Sequence, residues 1–213
     1  MVYPFGRFFL GNFVRMYTRK IEGHENIPRD RPFIAVANHS SYLDDLAIPY
    51  LITRFAKKKF HIFVNSRYYS NVFFKLFLDH FGCIKVDVSK DVKDAEKRNK
   101  TNEKAIEDAV RFLARGDIFG IFPEGGRNNG TLREGKTGVA TVALKSKVPV
   151  LPIAIIGSHN VFPKGAKFPR FRRFDISIGK PMTFEKYYGS KDYNTLRKIT
   201  DEIMGKISFL IAK

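Results

Sequence analysis

Six short apolar runs, rich in β-branched and aromatic residues, recur along the chain and alternate with segments of helical periodicity. Runs of this length and composition predict buried strands, here over residues 33–38, 60–65, 83–88, 117–122, 148–156 and 174–179. The helical segments cover residues 41–54, 67–80, 91–114 and 138–146, and a last helix starts at residue 193. Such an alternation predicts a single-domain α/β sandwich in which helices flank a largely parallel mixed sheet.

The size and charge of the chain narrow the classes of partner. Its 213 residues suit one domain with a substantial core, since single domains commonly run to about 100–200 residues. Lys and Arg number 38 against 21 Asp and Glu, a formal net charge of +17, which predicts attraction to acidic lipid, an acidic carrier protein or nucleic acid. The one cysteine, Cys83, excludes an internal disulfide and is interpreted as a small buried strand residue. The five histidines show no metal-ligand spacing, so no metal site is predicted.

The N-terminal segment is predicted to be an amphipathic helix over residues 5–20, with arginines on one side and a mainly aromatic face on the other. Such a face suits a helix in a membrane interface, and it equally suits a helix packed on the sheet. We divide the chain into a membrane-associating helix, residues 1–20, and a domain of residues 21–213. A cleavable signal peptide is not predicted, and the longest uncharged stretch, residues 148–163, is too short and too interrupted by prolines to span a membrane.

A histidine and an aspartate follow the first apolar run, in the sequence NHSSYLDD of residues 38–45. Histidine suits a general base near neutral pH, and a carboxylate bonded to its other ring nitrogen would fix the tautomer, so His39 and Asp44 are candidate catalytic residues. Ser40 is adjacent to His39 and would point elsewhere, so we do not predict a Ser–His nucleophilic pair. Alternatively, Ser41-x-x-Asp44 is a capping box, in which Asp44 only caps a helix.

A second polar loop, FPEGGRNNG of residues 122–130, follows a later apolar run. Gly125 and Gly126 would let the backbone approach a substrate closely, and Arg127 could bind a phosphate in bidentate fashion. The alternative is a tight turn closed by a surface Arg–Glu pair. Because strand ends gather at one edge of such a sheet, the two loops are expected to meet.

The motifs NHSSYLD, GCIKVD, FPEGGR and VPVLPIAI, in this order, resemble the glycerolipid acyltransferase family, whose members include 1-acylglycerol-3-phosphate acyltransferases. The resemblance extends over residues 20–181. It implies that residues 21–213 form an acyltransferase domain active in phospholipid biosynthesis. The implied reaction moves a fatty acyl group from acyl-CoA or acyl carrier protein to the hydroxyl of a lysophospholipid acceptor, without a cofactor. The expected location is the cytoplasmic face of a membrane with anionic lipids, peripheral or monotopic, with no nucleic-acid partner.

The resemblance also implies residue roles. His39 would be the general base oriented by Asp44, Glu124 would shape the pocket with Gly125 and Gly126, and Arg127 would engage the acceptor phosphate. The chain departs from the family after Asp87, where Val88 replaces an arginine that is a further phosphate ligand. Lys85 and Lys90 are the nearby cations that could substitute for it.

Two other functions are compatible with parts of the sequence. Residues 130–137 match the GxxxxGK[ST] phosphate loop, which requires a strand immediately before it and would indicate an NTP-binding enzyme. Residues 164–173 interleave phenylalanine with lysine and arginine, a mixture typical of surfaces that bind lipid headgroups or single-stranded nucleic acid. The alternatives to an acyltransferase are therefore an NTP-binding enzyme and a non-catalytic lipid- or nucleic-acid-binding module.

Overall fold

The structure is a computed structural model that describes residues 4–88 and 91–213, with side chains described from residue 11 onward. Its strands are β1 (Thr18–Glu22), β2 (Ile34–Ala37), β3 (Phe60–Asn65), β4 (Ile84–Val86), β5 (Ile118–Ile121), β6 (Val150–Ile156) and β7 (Phe174–Ile178). Its α-helices are α1 (Pro4–Tyr17), α2 (Asp44–Ala56), α3 (Val72–His80), α4 (Ala95–Ala114), α5 (Gly138–Ser146), α6 (Ser158–Val161) and α7 (Tyr193–Ala212). Short 3₁₀ helices lie at His24–Asn26, Ser66–Ser70 and Glu185–Tyr187.

The strands form one sheet in the order β1-β7-β6-β2-β5-β3-β4. The five strands from β6 to β4 are parallel to one another, β7 runs antiparallel to β6, and β1 is parallel to β7. The predicted α/β sandwich with a largely parallel mixed sheet is confirmed. The carboxyl ends of β6, β2, β5 and β3 consequently lie along one edge, and the chain leaves that edge in four loops.

Strand β2 is buried on both of its faces, and this makes it a rigid base for the loop that follows. Neighbouring residues of a strand point to opposite sides of a sheet. Accordingly, Ala35 and Ala37 belong to a core cluster with α1 and α2, whereas Ile34 and Val36 belong to a second cluster with α4, α5 and α7.

The N-terminal helix is shorter than the sequence pattern predicts. It ends at Tyr17, three residues before the expected end, because Thr18–Glu22 pairs with β7 and thereby extends the sheet. The boundary predicted after residue 20 falls inside β1. Val14 and Tyr17 are buried in the core cluster beside α2, so these residues of α1 pack on protein, whereas Met16 is 51% exposed. Side chains of residues 5–10 lie outside the described part.

Three further helices begin later than predicted. Helix α2 begins at Asp44 and not at residue 41, and side-chain caps set the first turns of the other two. The helix expected over residues 67–80 is divided into the 3₁₀ helix Ser66–Ser70 and α3, where the Asn71 side chain accepts a hydrogen bond from the Phe74 N–H. Helix α4 begins at Ala95 and not at residue 91, since the Asp94 side chain caps the Lys97 N–H. Asparagine and aspartate are preferred at this position because their oxygens satisfy free N–H groups of the first turn.

The Asn38 side chain, directly after β2, continues the hydrogen bonding between β2 and β6. Its Nδ2 donates to the Ile155 carbonyl at 2.9 Å, and its Oδ1 accepts from the Ile155 N–H at 2.7 Å. We expect Asn38→Ala to lower the free energy of unfolding by about 2–4 kcal/mol, because two buried backbone groups lose their partners. Urea denaturation would measure this, with the exposed Asn129→Ala as the matched control. Equal midpoints for the two variants would contradict the expectation.

Candidate active site

His39 and Asp44 form a buried hydrogen-bonded pair at the end of β2. His39 Nδ1 lies 3.1 Å from Asp44 Oδ2, and the Asp44 side chain has no exposed surface. A carboxylate only accepts hydrogen bonds, so Nδ1 carries the proton and Nε2 keeps a free lone pair. The imidazole also stacks on Phe122, with ring centroids 4.2 Å apart. A histidine in such an arrangement has a fixed tautomer and can accept a proton at Nε2.

The same carboxylate holds the turn that leads into α2. Asp44 Oδ2 accepts from the Ser40 N–H at 2.7 Å and from the Ser41 N–H at 2.8 Å. The bond to Ser41 is that of one half of a capping box, but Ser41 precedes α2, whose N-cap residue Leu43 has no side-chain cap, so Asp44 holds the turn before the helix and orients His39. The Ser40 hydroxyl bonds to that of Ser158 at 2.9 Å, which engages it away from the imidazole.

Glu124 and Asn128 join the second loop to the backbone of His39. Glu124 Oε1 accepts from the His39 N–H at 2.8 Å, and the Asn128 N–H donates to the His39 carbonyl at 2.8 Å. Glu124 Oε2 accepts from the Asn128 side-chain amide and from the Arg133 N–H. Both Glu124 oxygens are thus engaged within the protein. Glu124 therefore positions His39, and its oxygens are not free to bind an additional group.

Arg127 presents a positive charge beside the His39–Asp44 pair. Its guanidinium lies over the Tyr42 ring, with Cζ 3.3 Å from the ring centroid. Its Nη1 is buried and has no hydrogen-bond partner among the described residues. Guanidinium groups bind phosphate and carboxylate strongly, so an unused buried donor here suits an anionic ligand.

The two glycines of the loop are placed differently. Gly125 has a φ of 66°, a left-handed conformation that other residues rarely adopt, and it turns the loop back beside Lys136. A Cβ at Gly125 would lie 2.8 Å from Lys136 Nζ. The Gly126 carbonyl accepts a hydrogen bond from the Arg133 guanidinium. The loop is therefore flanked by Arg127, Arg133 and Lys136.

A family model described as "Acyltransferase" matches residues 18–156, more than half of the chain. The chain belongs to the acyltransferase family. The 1-acyl-sn-glycerol-3-phosphate acyltransferase of Bacillus subtilis is 27% identical over 171 residues, 76% of this chain and 73% of that protein. The crystal structure of the 1-acyl-sn-glycerophosphate (LPA) acyltransferase PlsC from Thermotoga maritima is similar with a TM-score of 0.69 and 26% identity. That match covers 98% of this chain and 79% of the other.

An uncharacterized protein of Mycobacterium bovis is 28% identical over 174 residues, which cover 76% of this chain. The match takes up only 43% of that relative, so this acyltransferase-family chain corresponds to less than half of its length. The resemblance to glycerolipid acyltransferases drawn from the sequence motifs is confirmed by the family match and by the Bacillus and Thermotoga proteins. The family match starts with β1 and ends with β6.

Some polar residues that hold this candidate site together were not identified from the sequence. They are Asn38, Asn128, Arg133 and Lys136. Asn128 stands beside Arg127 in the same motif, and this was a usable signal. Arg133 and Lys136 lie in residues 130–137, which match the phosphate-loop pattern and drew attention to a different function.

The phosphate-loop interpretation of residues 130–137 does not fit the geometry. Strand β5 ends at Ile121, well before Gly130, so no strand leads directly into the segment. Arg197 donates to Glu134 and to the Gly135 carbonyl, which ties the segment to α7. A phosphate loop needs backbone N–H groups that converge between a strand and a helix. Because residues 130–137 do not follow a strand, the geometry does not support the alternative of an NTP-binding enzyme.

The region after β4 contains Val88 where the family has an arginine. Lys85 is exposed and borders a groove of about 720 Å³ between β4 and α4, together with Lys97. Burial tends to raise the pKa of Asp87, but hydrogen bonds from Ser66 and Thr101 and the charges of the two lysines outweigh it, so the pKa is lowered. Lys90 lies outside the described residues.

Cys83 is partly buried, and burial raises the pKa of its thiol to about 11. It is therefore protonated near neutral pH and unsuited to act as a nucleophile. Within residues 4–88 and 91–213, no group of three or more His, Cys, Asp or Glu side chains is arranged to hold a metal ion. In the same part of the chain, no helix is long and apolar enough to cross a membrane.

Asp45 places a second carboxylate near His39, with Oδ1 3.7 Å from His39 Nε2. Loss of surrounding water raises the pKa of Asp45 to about 6. The charge of His39 opposes this rise, Asp44 adds to it, and Arg127 opposes it. The Asp45 side chain nevertheless keeps 48% of its surface exposed, so solvent screens part of the effect.

The raised pKa of Asp45 has a consequence for stability. The Asp45 carboxyl loses its proton near pH 3.9 in the unfolded chain but only near pH 6 in the folded protein. Deprotonation therefore lowers the free energy of unfolding as pH rises from the unfolded pKa towards 6, and this effect is absent below the unfolded pKa. We expect Asp45→Asn to increase the free energy of unfolding at pH 8 by up to about 1 kcal/mol, given solvent screening, and to leave it unchanged at pH 4. Urea titrations at both pH values, with the exposed Asp30→Asn as control, measure this difference. An equal effect at both pH values would contradict it.

Proposed function

We propose that the protein is an O-acyltransferase that acts in phospholipid biosynthesis. It moves a fatty acyl group from a thioester, acyl-CoA or acyl carrier protein, to the hydroxyl of a lysophospholipid such as 1-acylglycerol-3-phosphate. The observation that carries the proposal is His39, whose Nδ1 is bonded to buried Asp44 while Nε2 lies 3.7 Å from the partly exposed Asp45 carboxylate. The names of the Bacillus and Thermotoga relatives support this choice of acceptor.

The reaction follows from the free lone pair on His39 Nε2. The acceptor hydroxyl gives its proton to Nε2 as its oxygen forms a bond to the thioester carbonyl carbon. The tetrahedral intermediate then breaks its C–S bond, and the imidazolium returns the proton to the leaving sulfur. The products are an ester and a free thiol, and His39 returns to its starting state. Asp44 stabilises the imidazolium between the two steps.

Transfer is direct, without an acyl-enzyme intermediate. The Ser40 hydroxyl is bonded to Ser158, and Cys83 is protonated near neutral pH because burial raises the pKa of its thiol. Neither side chain is therefore an activated nucleophile beside His39. The dyad also argues against a purely binding module, since a surface that only binds lipid or nucleic acid does not need a histidine oriented by a buried carboxylate.

Arg127 binds the acceptor phosphate through its unused buried donor. Lys136, whose ammonium lies beside Gly125, adds positive charge along the same loop. In the family, an arginine at the position of Val88 attracts the phosphate. In this chain, Arg127 and Lys136 provide that attraction instead. Acceptor recognition is therefore concentrated on the loop after β5.

The surface that meets an anionic, cytoplasmic membrane face includes residues 164–173. Phe168 and Phe171 are 78% and 97% exposed, and exposed cations alternate with them at Lys164, Lys167, Arg170, Arg172 and Arg173. Each cation near an anionic leaflet strengthens binding, and exposed aromatic rings suit the headgroup region. Phe174 does not take part, because it is buried as the first residue of β7. In the second half of α1, Met16 is 51% exposed and remains available for membrane contact, whereas Val14 and Tyr17 are buried.

Removal of the general base should abolish most of the turnover. We expect His39→Ala to lower kcat by about 10²–10⁴-fold and Asp44→Asn to lower it severely, since the amide cannot fix the same tautomer. Thiol release is measured with acyl-CoA or acyl carrier protein and 1-acylglycerol-3-phosphate. His24→Ala, a change of an exposed histidine, is the matched control, and circular dichroism checks the fold. Near wild-type turnover by folded His39→Ala would contradict the role of His39 as general base.

Loss of Arg127 from the loop after β5 should weaken binding of the acceptor. A charged hydrogen bond contributes about 1.5–3 kcal/mol, so Arg127→Ala should raise the KM for 1-acylglycerol-3-phosphate by about one to two decades. The effect should be much smaller for a monoacylglycerol, which lacks the phosphate. Arg31→Ala, at an exposed arginine before β2, is the control. A change confined to the KM of the acyl donor would assign Arg127 a different role.

A further inference from the structure

Helix α3 exposes an apolar face that the described part of the protein leaves uncovered. Five of its nine residues are apolar and between 52% and 83% exposed, namely Val72, Phe73, Phe74, Leu76 and Phe77. Leu78 is the one buried residue of this helix. We call these five side chains the α3 face. Adjacent exposed aromatic residues are unusual on a monomeric soluble protein and mark an interaction surface.

The strand order places the α3 face beside the opening of the site. The chain passes from the carboxyl end of β3 through the 3₁₀ helix Ser66–Ser70 into α3, and β3 is the parallel neighbour of β5. The loop after β5 carries Arg127, which lies over Tyr42. Arg67, in the 3₁₀ helix, is close enough to Tyr42 for the two to interact electrostatically. The helix therefore starts at the edge of the sheet that holds the His39–Asp44 pair.

A second apolar and basic segment stands on the other side of the same opening. Residues 164–173 follow β6 and α6, and β6 is the other parallel neighbour of β2. In the order β6-β2-β5-β3, the loops that carry His39 and Arg127 lie between this segment and α3. One flat surface that touched both would cover the opening of the site.

The chemistry around the α3 face favours a lipid bilayer as that flat surface. Exposed Arg67 and Lys75 flank the aromatic rings, the chain carries a net charge of +17, and Phe168 and Phe171 lie among five cations. Aromatic side chains with neighbouring cations are typical of surfaces that enter the headgroup region of anionic membranes.

We propose that the α3 face inserts into the headgroup region of an anionic bilayer and, with residues 164–173, sets the opening of the site against the membrane. The acyl acceptor then enters the site at His39 from the bilayer and not from water. The entry of the acceptor rests on the proposed acyltransferase function, whereas the insertion of α3 does not.

A single-tryptophan reporter tests the insertion directly, because the chain contains no tryptophan. Phe73→Trp should show a blue-shifted emission on vesicles of phosphatidylglycerol and phosphatidylcholine, and brominated lipids should quench it. Phe209→Trp is the matched control, since Phe209 is 61% exposed on α7. Its neighbour Leu210 packs near Pro152 and Gly179, at the end of β6 opposite to the site. Unshifted emission from Phe73→Trp on vesicles that bind the protein would overturn the proposal.

Polar substitutions in the α3 face test its role in membrane binding. We expect Phe73→Ser with Phe77→Ser to lower vesicle co-sedimentation at least tenfold and to lower turnover of a long-chain acceptor in vesicles to a similar extent. Turnover of a soluble short-chain acceptor and the melting temperature should match those of Phe209→Ser. If no acceptor is acylated by the wild type, the proposed function fails while sedimentation still reports on α3. Unchanged vesicle binding, together with conversion of a wild-type dimer to a monomer, would instead identify the face as a contact between copies and overturn the proposal.

Discussion

One carboxylate oxygen, Asp44 Oδ2, receives hydrogen bonds from the His39 ring and from the N–H groups of Ser40 and Ser41. It is fully buried, so water cannot replace any of these partners. The oxygen therefore sets both the turn between β2 and α2 and the tautomer of the histidine. The chemistry of the site depends on an interaction that the fold also needs for its own local structure.

A second buried carboxylate completes the arrangement from the other side. Glu124 accepts the His39 N–H, while Asn128 donates to the His39 carbonyl, so the loop after β5 holds both backbone groups of the histidine. This leaves Arg127 as the loop side chain with a free buried donor. The two kinds of buried charge differ in their hydrogen bonds: the acids position His39, and the guanidinium keeps an unsatisfied donor that suits an anionic ligand.

The sheet topology places the candidate site between two surfaces with exposed apolar residues. The parallel strands β6, β2, β5 and β3 deliver four loops to one edge, and the outer two lead to surfaces with exposed phenylalanine. The antiparallel β7 and its neighbour β1 extend the sheet beyond β6 and anchor the far end of residues 164–173. Residues Val14 and Tyr17 then bury the second half of α1 against the core.

Much of the architecture could be predicted from local patterns. The spans of α5 and β3 and the starts of α7 and β7 agree with the apolar periodicity, because burial imposes that periodicity on each element separately. The motifs around His39 and Arg127 indicated the family, which the comparisons confirm. Strand β1 was missed because its sequence, TRKIE, is polar and gains its strand conformation only from pairing with β7.

The sequence by itself determined which side chains are available for chemistry and the order in which the apolar strands and polar loops follow one another. Only the tertiary structure decided that Glu124 binds the backbone of His39, that Asn38 bridges to Ile155 and that Arg127 lies over Tyr42. These contacts join residues far apart in the chain, and they depend on strand order and register. Burial of both faces of the sheet sets that order and register, and no local pattern contains this information.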